Sequence, residues 1–190
     1  MAKSTKTKST KSTAKKKTSP KASKGATPSL SAAAAVDIGL TEANRKKVAD
    51  GLSNVLADSF TLYLKTHQFH WNVRGPMFNS LHVMFEGQYT EEWAALDEIA
   101  ERIRALGFDA PGTYAQFIRL STIKDEQVRD TGDWEAMVAQ LVIGNEAVCR
   151  VCRATLDVAS KVSDEPTVDL MTQRLSIHEK NAWMLRSLLQ

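Results

Sequence analysis

Four residues of metal-ligand type stand as two pairs within one amphipathic stretch: His82 and Glu86, then Asp97 and Glu101. Within each pair the spacing is four, so on an α-helix both side chains share a face. Glu86 and Asp97 are eleven residues apart, about three turns, which keeps all four on one stripe but separates the pairs by roughly 16 Å. Bonds from a metal to carboxylate or imidazole are only about 2 Å long, so one ion cannot reach both pairs of a single straight helix. The pairs therefore serve different purposes or meet across two chains. Their positions favour the second, because His82 with Glu101 and Glu86 with Asp97 are both centred on one point between residues 91 and 92. A two-fold axis through that point, relating antiparallel copies of the helix, sets His82 against the partner's Glu101 and Glu86 against the partner's Asp97. Two equivalent sites then form at once.

His70 is a fifth candidate ligand, delivered from the end of a preceding helix by the tight Gly75-Pro76 turn. Two imidazoles and three carboxylates suit Fe(II), with Mn and Zn compatible and copper disfavoured by the carboxylate count. Few protein ligands per ion leave coordination positions open for an oxidant. Taken singly, an acid at helical spacing reads as a solvated face and a lone histidine as a packing residue. It is the joint fit to one symmetric arrangement that points to metal. His67, one turn before His70, reads as an outer hydrogen-bond partner or as a packing residue. His178 falls on an apolar stripe and reads as a core or interface histidine.

The elements that must position these groups are helices. Val48, Leu52, Val55, Leu56, Phe60 and Tyr63 mark one apolar face of a first helix from Thr41 to about His70, ended by Gly75-Pro76. Leu81, Phe85, Leu96, Ile99 and Ile103 mark a second from Phe78 to Leu106, with Gly107 as its C-terminal cap. A connector follows, in which Tyr114 to Leu120 can form a short helix. Asp133 caps a third long helix carrying Met137, Leu141, Val148, Cys152, Thr155 and Leu156. Asp164 or Glu165 caps a fourth, with Pro166 in its first turn and Met171, Leu175, Ala182, Leu185 and Leu189 facing inward. No strand-like alternation competes, so the fold class is all-α: a four-helix bundle over residues 37–190, with an extra short helix between helices two and three. The usual di-iron bundle binds metal within one chain through two E-x-x-H motifs. No glutamate here has a histidine three residues later, which moves the expected site to an interface.

Residues 1–36 are of another kind. They hold nine lysines (Lys3, Lys6, Lys8, Lys11, Lys15, Lys16, Lys17, Lys21 and Lys24) among Ser, Thr, Ala and Pro, with too little apolar surface to offset the entropy of ordering. A disordered arm is expected. With those nine set aside, 16 of the 25 cations face all 22 acids, so a +9 arm precedes a body of −6. Lysines without interleaved aromatics contact phosphates and cannot read bases, so DNA binding would be sequence-independent and salt-sensitive. The plain alternative is a solubilising tail. Cys149 and Cys152 form one C-x-x-C in a helical segment, read as reduced core residues. No apolar run reaches the roughly 18 residues of a membrane span, and no secretory signal is visible.

The run His70-Trp71-Asn72-Val73-Arg74-Gly75-Pro76, followed by His82, Glu86, Asp97 and Glu101, resembles the signature of the Dps family, the DNA-binding proteins of starved cells or mini-ferritins; Trp183-Met184-Leu185 is similar to that family's last helix. The resemblance spans about residues 40–190. It implies a ferritin-like bundle assembled as a hollow homododecamer. It further implies a ferroxidase that oxidises Fe(II), preferentially with hydrogen peroxide, and stores the ferric mineral inside. By position, His70, His82 and Glu86 would be metal ligands from one subunit, and Asp97 and Glu101 from its two-fold partner. Trp71 would stand beside the iron as an electron donor, or simply pack at a helix end. Glu146 falls near an acid lining the family's three-fold pores, through which iron passes. The resulting expectation is a cytoplasmic, nucleoid-associated protein that oxidises and stores iron and protects double-stranded DNA through its Lys-rich arm. Two rivals stay open: an architectural DNA-binding protein with a vestigial metal site, and a mini-ferritin that does not engage DNA.

Overall fold

Thr41 opens the first helix, its hydroxyl accepting the Asn44 N–H at 3.3 Å, one of the amides that a helix start otherwise leaves unpaired. The computed structural model describes residues 1, 35–124, 128, 130 and 132–190. The nine arm lysines lie outside these, and with them the expectation of a disordered arm. Among the described residues five α-helices follow in order: α1 (Glu42–Asn72), α2 (Phe78–Ala105), α3 (Tyr114–Leu120), α4 (Trp134–Ser160) and α5 (Glu165–Arg186), closed by a 3₁₀ turn at Ser187–Leu189. There is no strand among the described residues. Each boundary has a sequence cause. Gly107 takes φ +92, a left-handed conformation suited to glycine, just past the end of α2. The Asp133 carboxylate accepts the Ala136 N–H at 2.9 Å, and Asp164 caps α5 by accepting from the Thr167 N–H and hydroxyl.

The four long helices close a bundle with one extended crossover between α2 and α4. Its core is the set of inward stripes read from the sequence: Val48, Leu52 and Val55 from α1, Leu81, Phe85, Ile99 and Ile103 from α2, Met137, Leu141, Val148 and Cys152 from α4, and Met171 and Leu185 from α5, all almost fully buried. Leu189 departs from the expected stripe. It is 40% exposed, because the chain tightens into the 3₁₀ turn after Arg186 and the 3.6-residue period no longer carries it inward.

A single buried carboxylate fastens the crossover. Asp58 of α1, with no solvent exposure, accepts the Ser121 hydroxyl at 2.8 Å, the Thr122 N–H at 2.6 Å, the Thr122 hydroxyl at 2.7 Å and the Ile123 N–H at 3.3 Å. The stacked rings of Phe60 and Phe117, 4.6 Å apart, hold α3 on the same face of α1. Asp58→Ala would strand two backbone N–H groups and open a cavity, a loss of about 3 kcal/mol. A thermal midpoint lowered by roughly 6–12 °C is the expected reading; an unchanged midpoint would show that the connector is held by other means.

Candidate metal centre

The turn between α1 and α2 brings two histidines into register. Gly75 adopts φ +99, where an L side chain would be strained, and the Phe78 N–H returns to the Gly75 carbonyl at 3.1 Å. The result is a parallel pair of rings, His70 from the last turn of α1 and His82 from the first turns of α2, with centroids 3.7 Å apart and planes at 18°. Each ring is held by the other residue's backbone: His70 Nδ1 lies 2.8 Å from the His82 carbonyl, and His82 Nδ1 lies 2.9 Å from the His70 carbonyl. A carbonyl only accepts, so both Nδ1 atoms carry a proton, and each ring in its neutral form has its lone pair at Nε2. A carbonyl on one ring nitrogen is what orients a histidine to bind metal through the other. The His70 carbonyl is free to accept from the His82 ring because the final carbonyls of α1 have no helical partner.

The acidic candidates lie on the open side of α2. Glu86, Asp97 and Glu101 are exposed, as are Val83 and Trp93, each 60%, on the same stripe. Opposite them Leu81, Phe85 and Ile99 are sealed in the core. Among the described residues no three His, Cys, Asp or Glu side chains of one chain are grouped to hold a metal. Of the ligands expected from one subunit, the two imidazoles of His70 and His82 meet, and Glu86 lies one turn after His82 on the exposed face of α2. A helix face bearing a bare tryptophan between a His–Glu pair and an Asp–Glu pair is unfinished in a single chain.

Comparison with known proteins bears on what this face belongs to. The ferritin-like domain family matches residues 49–190. DNA protection during starvation protein 2 of Bacillus anthracis is 37% identical over 144 residues, 76% of this chain and 97% of that protein. The chain belongs to the Dps family of ferritin-like proteins. The crystal structure of Dps from Vibrio cholerae O1, described as a member of a superfamily of ferritin-like diiron-carboxylate proteins, matches with a TM-score of 0.76 at 33% identity, covering 80% of this chain and 95% of that one. A low temperature-induced protein of Nostoc is 39% identical over 156 residues, 82% of this chain and 87% of its own length.

Beside the histidine pair this Dps-family chain carries an aromatic ladder. Trp71, 61% exposed, packs on His67 at 4.2 Å, and His67 stacks on Tyr89 at 3.9 Å. Tyr63 continues it, 6.3 Å from Tyr89 and 5.4 Å from Trp93. Of the two readings of His67, packing is the one realised: it is wedged in the ladder with Nδ1 3.2 Å from the Tyr63 hydroxyl. Burial, with the neighbouring His70 second, lowers its pKa. Sequence reasoning missed Tyr63, Tyr89 and Trp93 as neighbours of the site. The signal was present, since Tyr63, His67 and Trp71 repeat every four residues on α1, as Tyr89 and Trp93 do on α2.

The remaining candidates are placed as follows. Glu146 is half-buried on α4 and ion-paired to Arg186 of α5, within a mixed surface cluster that includes Arg150, Arg153 and Glu179. Cys149 and Cys152 are free, buried thiols. Burial pushes Cys152 up to about 12, and Cys149 is raised by burial and then by Glu179, so neither is poised as a thiolate. His178 is a core histidine with no exposure. Among the described residues no helix is long and apolar enough to cross a membrane.

Proposed function

We propose that the protein is an iron-oxidising, iron-storing mini-ferritin whose arms bind DNA without sequence preference, in the cytoplasm and on the nucleoid. The observation that carries this reading is the pair of Nδ1-protonated imidazoles, which offers two Nε2 lone pairs at one end of an exposed acidic stripe centred between residues 91 and 92. In the proposed two-fold dimer His70, His82 and Glu86 of one subunit and Asp97 and Glu101 of the other bind Fe(II) as substrate. Hydrogen peroxide takes one electron from each of two Fe(II) ions and leaves as hydroxide, and the Fe(III) formed hydrolyses to mineral inside a dodecamer. The carboxylates hold the ferric charge, the imidazoles fix position, and open coordination positions admit the oxidant. Trp71 and the stacked rings behind it supply electrons when a peroxide is cleaved by a single iron. Glu146 is assigned to the pores that admit Fe(II). The names of the relatives support the DNA-protecting half of this reading.

Asp97→Asn and Glu101→Gln test the iron half, because each removes a charged ligand at constant size. Both side chains are exposed in the subunit, so helicity and assembly should survive while peroxide-driven Fe(II) oxidation slows at least a hundredfold. Loss of helicity in both variants would make these residues structural. Deleting residues 1–30 tests the other half. Assembly and oxidation should persist, and gel retardation of linear DNA at physiological salt should vanish, since the deleted segment holds all nine arm lysines. A truncated particle that shifts DNA as well as the intact one would remove the arm from the account.

A further inference from the structure

Each long helix sends a polar group to one buried place in the middle of the bundle. Ser59 comes from α1, Glu92 from α2, Asn145 from α4, and Arg174 and His178 from α5, all at most 3% exposed. Their bonding has a direction. Asn145 Nδ2 donates to the Leu141 carbonyl at 2.8 Å, and its Oδ1 accepts from His178 Nδ1 at 2.9 Å. His178 is therefore a neutral ring with its Nε2 lone pair pointing at Arg174 Nη2, 3.1 Å away. The same Nη2 donates to Glu92 Oε2 at 3.0 Å, and the guanidinium also engages both carboxylate oxygens of Glu91. Glu92 Oε1, Arg174 Nε and Ser59 Oγ have no hydrogen-bond partner among the described residues.

With Arg174 in place no three His, Cys, Asp or Glu side chains are grouped to hold a metal among the described residues, but Glu92, the amide-oriented His178 and the Ser59 hydroxyl are donors of the kinds a divalent metal takes, and ferritin-like di-iron proteins bind metal inside the bundle through Glu and His. The spacing fits too. Glu92 Oε2 and His178 Nε2 are 3.4 Å apart, the separation of two ligands on a tetrahedral ion with bonds of about 2.1 Å. Arg174 Nη2 bridges the two, 3.0 Å from one and 3.1 Å from the other, and so engages both of the lone pairs a metal would use. We infer that Arg174 is a metal-excluding cation: its guanidinium fills a latent divalent-metal cage in the bundle core and confines metal to the subunit surface. The inference rests on the proposed function only in naming iron as the metal so confined. A covalently attached cation gives the core its positive charge without metal, so the bundle folds before any iron is present. It also removes a buried site that would compete for Fe(II) with the one that the oxidant can reach.

The test uses the full-length assembled protein and Co(II), whose absorption is intense in tetrahedral N/O sites. To keep surface metal out of the count, all proteins carry His82→Ala. Arg174→Ala and Arg174→Met should each bind one Co(II) per chain beyond the Arg174 parent, with tetrahedral bands and a thermal midpoint raised by Co(II). Adding Glu92→Gln should weaken that uptake at least a hundredfold, and Arg174→Lys, which keeps a cation in place, should show none. Where the Arg174 variants assemble poorly alone, Co(II) or Zn(II) during refolding should restore them. No extra Co(II), extra Co(II) that survives Glu92→Gln, or failure of both variants to assemble with or without metal would each overturn the inference. Peroxide-driven Fe(II) oxidation by the wild type is a separate measurement: its absence would sink the proposed function and leave the cobalt result to decide Arg174.

Discussion

Particles reassembled from equal amounts of His82→Ala and Asp97→Ala protein should recover about a quarter of the sites that neither variant possesses alone. The expectation follows from where the ligands sit. His82 and Asp97 are roughly 22 Å apart along α2 at 1.5 Å per residue, and within one chain no three ligand-type side chains are grouped among the described residues. If a site takes His82 from one subunit and Asp97 from the other, a homodimer of either variant has two damaged sites. A mixed dimer puts both lesions in one site and leaves the other whole. Random pairing makes half the dimers mixed, with one good site in two. Each single variant should fall at least a hundredfold in peroxide-driven oxidation, so recovery to about 25% is a large signal. Activity that stays flat across mixing ratios, with mixed dimers confirmed by native mass spectrometry, would mean that the two residues do not share a site across the axis.

How far the sequence reveals the molecule depends on the range of the interaction. Helix ends at Thr41, Gly107, Asp133 and Asp164 were legible because capping is local chemistry between residues three or four apart. The inward stripes were legible because the 3.6-residue period averages over many turns, and it failed at Leu189, where the period itself changes. The pairing of His70 with His82 could be anticipated from the Gly75-Pro76 turn between them. The reciprocal Nδ1–carbonyl bonds could not, since they depend on the relative rotation of two helices. Asp58 looks like any acid on an amphipathic helix until the crossover is seen to wrap over it, 63 to 65 residues later in the chain. The Glu92–Arg174 contact spans 82 residues, and as charged residues both read as surface positions in the sequence.

That buried contact leads to the second large effect. Arg174 carries one positive charge and faces two carboxylates. Glu91, 37% exposed at its side chain, holds the guanidinium through both oxygens, so Glu92, 5% exposed, is the surplus charge. Burial pushes the Glu92 carboxyl from 4.5 up to about 7; Arg174 opposes the rise, Ser59 opposes it weakly, and Glu91 adds to it. A carboxyl raised in the folded state stabilises the fold fully below its unfolded value of 4.5, and that contribution is lost as pH climbs through about 7. The difference is on the order of 3 kcal/mol. His178 acts with the opposite sign. Burial first, and Arg174 second, lower it to about 3, so its contribution is present above 6.5 and is lost as pH falls toward 3. Comparison with Glu92→Gln isolates the carboxyl, because His178 is common to both proteins and glutamine keeps the shape of the protonated acid. The thermal midpoint of the variant relative to wild type should therefore rise by several degrees between about pH 4.5 and 7 and stay level above. A difference that is constant over this range, or that shrinks as pH rises, would show that Arg174 satisfies both carboxylates as anions and that the core network holds no proton at neutral pH.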